Sequence, residues 1–324
     1  MKNAYAILRI MIAAALMALA GSVAAQQNYP NKPIRFILPY AAGGNTSILA
    51  RLVGQKLTES WGQPVIVDNR GGGNGIIGTE ALLKSPPDGY TILLASSTHV
   101  LINPLRPTSY DPIKDFDAVA TIADSRYVLL LHPSVPANNL KEFIAYAKAR
   151  PGELNYATPG AGGGQHLASE WFNMLAGIKM QHVSYKGGGQ ALTDLIGGYV
   201  QVYLPVPITA IPFVNSGKLK ALAITGEKRL AALPNVPTFT EAELPGFDAK
   251  TWFGFLAPAG TPKMVINKLS SEIAKILAMP DIKEKLNSQG VESFISTPEQ
   301  FAALMETYLG RYAKIIKDAN IKLQ

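Results

Sequence analysis

The chain has no cysteine. Disulfide staples, thiolate nucleophiles and cysteine-bound metals are therefore excluded. Its four histidines, His99, His132, His166 and His182, have no metal-ligand spacing, so no metal and no other cofactor is expected. Charge is sparse, at 16% of residues, and the basic residues are dispersed, which argues against a nucleic-acid partner. No G-x-S-x-G elbow and no Walker lysine occurs. Low-complexity tracts and repeats of solenoid period are also missing.

What is present is a chain of 324 residues, 48% of them hydrophobic, which can bury a substantial core and exceeds the usual size of one domain. Residues 1–25 stand apart. Lys2 and Arg9 lead into an apolar run, Ile10 to Ala20, followed by small residues to Ala25. That run is shorter than the ~20 residues a membrane span needs, so it reads as a cleavable export signal, cut after Ala24 or Ala25. Losing Lys2 and Arg9 lowers the formal charge from +7 to +5. Such a mildly positive field assists capture of small anions, though it mostly tunes solubility.

The mature chain is organised around Arg35 to Leu57. A short apolar run, a break at Pro39 to Gly44 and helical spacing through Ile48, Leu49, Leu52, Val53 and Leu57 predict strand, glycine turn and helix. Asn45, Thr46 and Ser47 are all good N-cap residues, and a helix start presents free N–H groups and a positive dipole end that suit an anion. One such corner could be no more than a tight turn. The pattern recurs, however. The segment Pro64 to Asp68 reads as a buried strand running into Arg70 to Gly75; Leu154 to Thr158 runs into Gly160 to His166; and Met180 to Tyr185 runs into Lys186 to Gln190. In open α/β sheets ligands bind outside the carboxyl ends of strands, where such corners lie.

Between residues 30 and 130, strands near Ile34 to Leu38, Val65 to Asp68, Tyr90 to Ala95 and Ala118 to Ile122 alternate with helices, predicting a mostly parallel sheet. Ser96, Ser97 and Thr98 follow the third strand, either to bond a carboxylate or simply to cap a loop. The chain crosses to a second unit after Tyr127. There a helix near Leu140 to Arg150 and strands near Val200 to Leu204 and Leu219 to Thr225 join the third and fourth corners. Beyond the Pro-rich Leu233 to Gly246 it returns at Thr251 to Ala257, and three helices finish it: Lys263 to Met279, Pro280 to Ser288 and Pro298 to Asp318. Two α/β lobes, 26–127 with 248–324 and 128–247, with glycine corners facing a shared cleft, describe a hinged ligand trap.

Several segments in order resemble one family. They include Pro33-Ile-Arg-Phe-Ile-Leu-Pro39, Gly62-Gln-Pro-Val-Ile-Val-Asp-Asn-Arg70, Pro87-Asp-Gly-Tyr-Thr91, Tyr185-Lys-Gly187, Leu233-Pro-Asn-Val-Pro-Thr238 and Ala257-Pro-Ala-Gly-Thr-Pro262. Across essentially the whole mature chain these are similar to the extracytoplasmic, Bug-type receptors of tripartite tricarboxylate transporters. The resemblance implies a periplasmic-binding-protein-like fold (type II), a periplasmic monomer, a small carboxylate ligand, and delivery to membrane transporter subunits or a sensor kinase. It points to Tyr40, Gly43, Gly44, Asn45, Thr46, Ser47, Asn74, Ser96, Ser97 and Thr98 in the first lobe. In the second it points to Thr158, Gly162, Gly163, Gly164, His166, Tyr185, Lys186, Gly187 and Pro205.

The chain departs from that pattern in places. Ser47 stands where the family usually has an acid, glycines replace serines at the third corner, and Pro205 replaces a frequent Asp. Among these loops only Asp68, at a strand end, is a carboxylate. A buried ammonium needs a counter-charge, so the expected ligand carries no amine.

Individual residues leave alternatives open. His166 either touches ligand or caps its helix; Arg70 either holds a carboxylate or pairs with Asp68; Tyr40 and Tyr185 either line the cleft or pack at the hinge. Trp252 and Phe253 read as core at the crossing rather than as a stacking platform. Gly73 to Gly78 matches the dinucleotide fingerprint, but no ribose-binding acid follows about 20 residues on. An exported hydrolase acting on a small carboxylated substrate, built on a Ser and His pair brought together by folding, is the remaining alternative.

Overall fold

The computed structural model describes residues 29–318. The export-signal reading, residues 1–25, lies outside them. The chain opens with β1 (Ile34–Leu38), α1 (Asn45–Trp61), β2 (Val65–Asn69), α2 (Ile76–Leu83), β3 (Thr91–Ser96), the single turn α3 (Thr98–Leu101) and β4 (Phe116–Arg126). It continues through β5 (Val128–Leu131), α4 (Leu140–Lys148), β6 (Asn155–Thr158), α5 (Gly164–Ala176), β7 (Gln181–Ser184), α6 (Gly188–Ile196), β8 (Val202–Tyr203), α7 (Pro207–Asn215) and β9 (Lys220–Ile224). The last elements are β10 (Lys250–Pro258), α8 (Lys263–Ala278), α9 (Pro280–Ser288), β11 (Glu292–Ser293) and α10 (Pro298–Asp318).

These strands form two sheets, ordered β11-β4-β10-β3-β1-β2 and β7-β6-β8-β5-β9. Each sheet with its helices is an α/β lobe, and the chain passes between them twice, from β4 to β5 and from β9 to β10. The first sheet is mixed, not mostly parallel. Strand β1 pairs in parallel with β2 and β3, but the returning β10 inserts between β3 and β4 and runs antiparallel to both. A strand arriving from late in the chain cannot be foreseen from the βαβ rhythm of residues 30–130.

Strand β2 is also not the buried strand its apolar residues suggest. It is the sheet edge, and Ile66 is 53% exposed. On the other face, Val65 lies under α1 at Gly54, where an added Cβ would come within 2.9 Å of Val65 Cγ1. That glycine lets the helix sit directly on the strand. Apolar packing behind the sheets falls into separate clusters: in one, Phe36 meets Phe255 at 4.6 Å between ring centroids, and in another Trp252 meets Phe301 of α10 at 5.0 Å. The buried faces leave the strand ends and helix starts to form the cleft.

Candidate functional site

Three helices start at the gap between the sheets: α1 after Gly44, α5 after Gly163 and α6 after Gly187. The N-cap of each is a glycine, which has no side chain to cap with, and only at α5 does a side chain from elsewhere, Thr98, accept from the first N–H, that of Gly164. Asn45, Thr46 and Ser47 are therefore the first turn of α1 rather than its caps, and the turn reaches it through Gly43 at φ 89°. Free N–H groups and positive dipole ends converge from both lobes on one space.

The first lobe and the crossing strands line that space with Tyr40, Gly44, Asn45, Thr46, Ser96, Tyr127, Thr251 and Phe253. Pro159, Gln165, Gly188 and Val206 complete it from the second lobe. The free volume is ≈ 30 Å³, room for about two waters, because the lobes are closed on each other. Ala41 N–H donates to Lys186 O at 3.3 Å, Gly164 N–H to Thr98 Oγ1 at 3.1 Å, and Asn74 Nδ2 to Ala161 O at 3.0 Å. Glycine permits this approach: a Cβ on Gly187 would lie 3.0 Å from Ala41 Cβ, and one on Gly189 would lie 3.2 Å from Ala42 O.

Among the described residues, no Asp, Glu, Lys, Arg or His lines the cleft. The Tyr40 hydroxyl lies 3.2 Å from Ser96 Oγ, and burial pushes the Tyr40 and Tyr127 phenols up, so both stay neutral donors. Thr46 Oγ1 and Gln165 Oε1 are buried without a hydrogen-bond partner. Buried polar groups normally find partners, so these two await a ligand or water. The arrangement can hold an anion with neutral donors alone.

The sequence-selected residues fall into three sets. Tyr40, Gly44, Asn45, Thr46 and Ser96 line the cleft. Gly43, Asn74, Thr98, Gly163, Gly164, Lys186 and Gly187 lie where the lobes touch. The others face elsewhere. Ser47 Oγ accepts from Asn69 Nδ2 at 3.1 Å, Ser97 Oγ bonds Thr251 Oγ1 at 2.8 Å, and Thr158 Oγ1 bonds His182 Nε2 at 2.6 Å. His166 neither lines the cleft nor caps α5 with its side chain. Its Nδ1 accepts from Gly162 N–H at 3.0 Å and its ring stacks on His182 at 4.0 Å. The Tyr185 hydroxyl donates to Asp194 at 2.7 Å, and Pro205 O accepts from Val128 N–H at 2.9 Å. Arg70 is paired with Asp68 at 2.9 Å, together with Arg35. Trp252 and Phe253 are both core, and Phe253 also forms part of the cleft wall.

Tyr127 and Thr251 carry no sequence signal. They reach the site because the two crossing strands run past it. Pro159, Gln165 and Val206 sit inside loops the resemblance indicates, but nothing in their type marks them out.

Residues 49–321 match the model of the tripartite tricarboxylate transporter family receptor, TctC. The chain belongs to this family. It is 36% identical to protein BugT of Bordetella pertussis over 327 residues, covering 100% of this chain and 99% of BugT. Periplasmic binding protein BugD is 32% identical with a TM-score of 0.87, over 91% of this chain and 100% of BugD. Rpa4515 of R. palustris, solved with adipate, is 33% identical with a TM-score of 0.88, over 91% of this chain and 99% of the other.

Members of the TctC family are solute-binding receptors, so this receptor is not an enzyme. The hydrolase alternative is thereby set aside. The hydrogen bond between Ser134 and His132, at 2.7 Å, is exposed and outside the cleft lining. Among the described residues no group of three or more His, Cys, Asp or Glu is placed to hold a metal.

Proposed function

We propose that this receptor captures a small organic carboxylate without an amine in the periplasm and presents it to a tripartite tricarboxylate-type membrane transporter. The observation that carries the ligand class is the convergence of three helix starts, those of α1 and α6 without any side-chain cap, on a cleft where no ionised side chain stands among the described residues. Helix starts favour negative charge. An ammonium buried there would lack any counter-charge. The adipate bound by the relative Rpa4515, a dicarboxylate, supports the same reading.

In this proposal residues 1–25 are cleaved on export, 26–127 with 248–324 form one lobe, 128–247 form the other, and the receptor acts as a monomer. Tyr40, Thr46, Ser96 and the N–H groups at Gly44 to Thr46 and Gly187 to Gly188 hold one carboxylate. Asn74, Thr98, Gly163 and Gly164 secure closure.

The test is the melting temperature against a panel of carboxylates, amino acids, sugars and NAD. A ligand at 100 times its Kd adds about 2.7 kcal/mol, a shift of a few degrees. Stabilisation by carboxylates alone is expected. Tighter binding of aspartate or glutamate than of their deaminated analogues would sink the no-amine argument.

A further inference from the structure

Two side-chain oxygens on the cleft wall are buried without a partner, and they differ chemically. Thr46 Oγ1 is a hydroxyl, which can donate to an anion; Gln165 Oε1 is a carbonyl, which can only accept. A carbonyl facing a carboxylate is repelled by it, so Gln165 faces some other part of the solute. Leaving it unmatched costs the desolvation of a buried acceptor, and a ligand donor relieves that cost.

The donor must also be neutral, because the lining holds no Asp or Glu to balance an ammonium. It must be small, because the closed cleft leaves ≈ 30 Å³. A hydroxyl meets both conditions. Gln165 is held in place through its neighbour, because the adjacent Gly164 N–H is fixed on Thr98 across the cleft.

Resting on the carboxylate-receptor reading, we propose that Gln165 determines specificity by accepting a hydrogen bond from a hydroxyl on the solute, so that the receptor selects small hydroxylated carboxylates over their unhydroxylated counterparts. Neither the motif spacing nor the family resemblance assigns this role.

The experiment is titration calorimetry on the exported protein with pairs of acids that differ by one hydroxyl: lactate and propionate, malate and succinate, 3-hydroxybutyrate and butyrate, 4-hydroxybenzoate and benzoate. Gln165→Met and Gln165→Leu are measured beside the wild type, with ligand-free melting curves to show that each folds. The expected result is a preference of about tenfold or more for the hydroxylated member of at least one pair, falling to within about twofold in both variants. If the unhydroxylated acids bind as tightly or tighter, the amide presents its NH2 group instead and the proposal is overturned. A preference that survives both substitutions overturns it too, as does equally tight binding of alanine and lactate. Failure of every carboxylate to bind is a different failure: it removes the receptor reading beneath.

Discussion

The backbone N–H of Ala41, on the loop after β1, donates at 3.3 Å to the carbonyl of Lys186, on the loop after β7. One lobe thus grips the other through main chain, at a point where Gly187 passes so close that its Cβ, if it had one, would lie 3.0 Å from that of Ala41. Closure is a property of backbone proximity rather than of ion pairs.

Gly187→Ala tests this directly. Its φ of 176° is extended and open to any residue, so an added methyl acts only by steric contact across the cleft. Overpacking of this kind costs about 1–3 kcal/mol. Ligand affinity is expected to fall by about tenfold or more, with a larger radius of gyration by small-angle scattering in saturating ligand. An unchanged affinity would show that closure tolerates the methyl.

Thr46→Val removes the orphaned hydroxyl while keeping the side chain's shape. Because Oγ1 bonds nothing in the protein, ligand-free stability is expected to move by less than about 1 kcal/mol. Affinity for the carboxylate should drop about tenfold, as when a charge-assisted hydrogen bond is lost. Calorimetry and chemical denaturation separate the two effects.

The pair Asn74→Ala and Thr98→Val deletes the side-chain hydrogen bonds that span the cleft. Each is worth about 1 kcal/mol. Stopped-flow measurement should show faster ligand release in each single variant and faster release still in the double. Equal rates in all four proteins would place closure elsewhere.

Acid should weaken the fold before it weakens the site. Burial holds His166 down to about 3 and His99 down to about 4, against 6.5 for an exposed imidazole. The unfolded chain takes up protons below about pH 6.5 while these folded histidines stay neutral, so stability is full above that pH and is lost as pH falls towards 4. The slope is about 1.4 kcal/mol per pH unit for each group. His166→Gln should flatten the unfolding-versus-pH curve by close to one proton, because Gly162 N–H donates to its unprotonated Nδ1.

Much of the fold is legible because its cause is local. The runs at Ile34 to Leu38 and Thr91 to Ser96, and the helical spacing from Lys263 to Ala278, reflect how neighbouring residues partition between core and solvent. The insertion of β10 is not local: its partners, Ser96 and Ala123 opposite Phe253, lie far away in the chain. The glycine corners are visible as sequence because only glycine allows the approach at Gly187 and Gly189. Tyr127 and Thr251 are invisible because any crossing strand tolerates such residues, and their place in the cleft follows from the two lobes meeting there. Ser47, Thr158 and Tyr185 look like ligand donors but are occupied by Asn69, His182 and Asp194. A hydroxyl's type says that it can bond, not which neighbour it will find.

That no ionised side chain among the described residues lines the cleft wall has an electrical consequence. Binding a carboxylate lowers the net charge whatever lines the site, but here no cationic side chain of the lining offsets its field locally. Loaded and empty forms therefore migrate differently in an electric field, and the mouth of the cleft turns more negative on loading. Occupancy is thus signalled as electrostatic potential as well as shape.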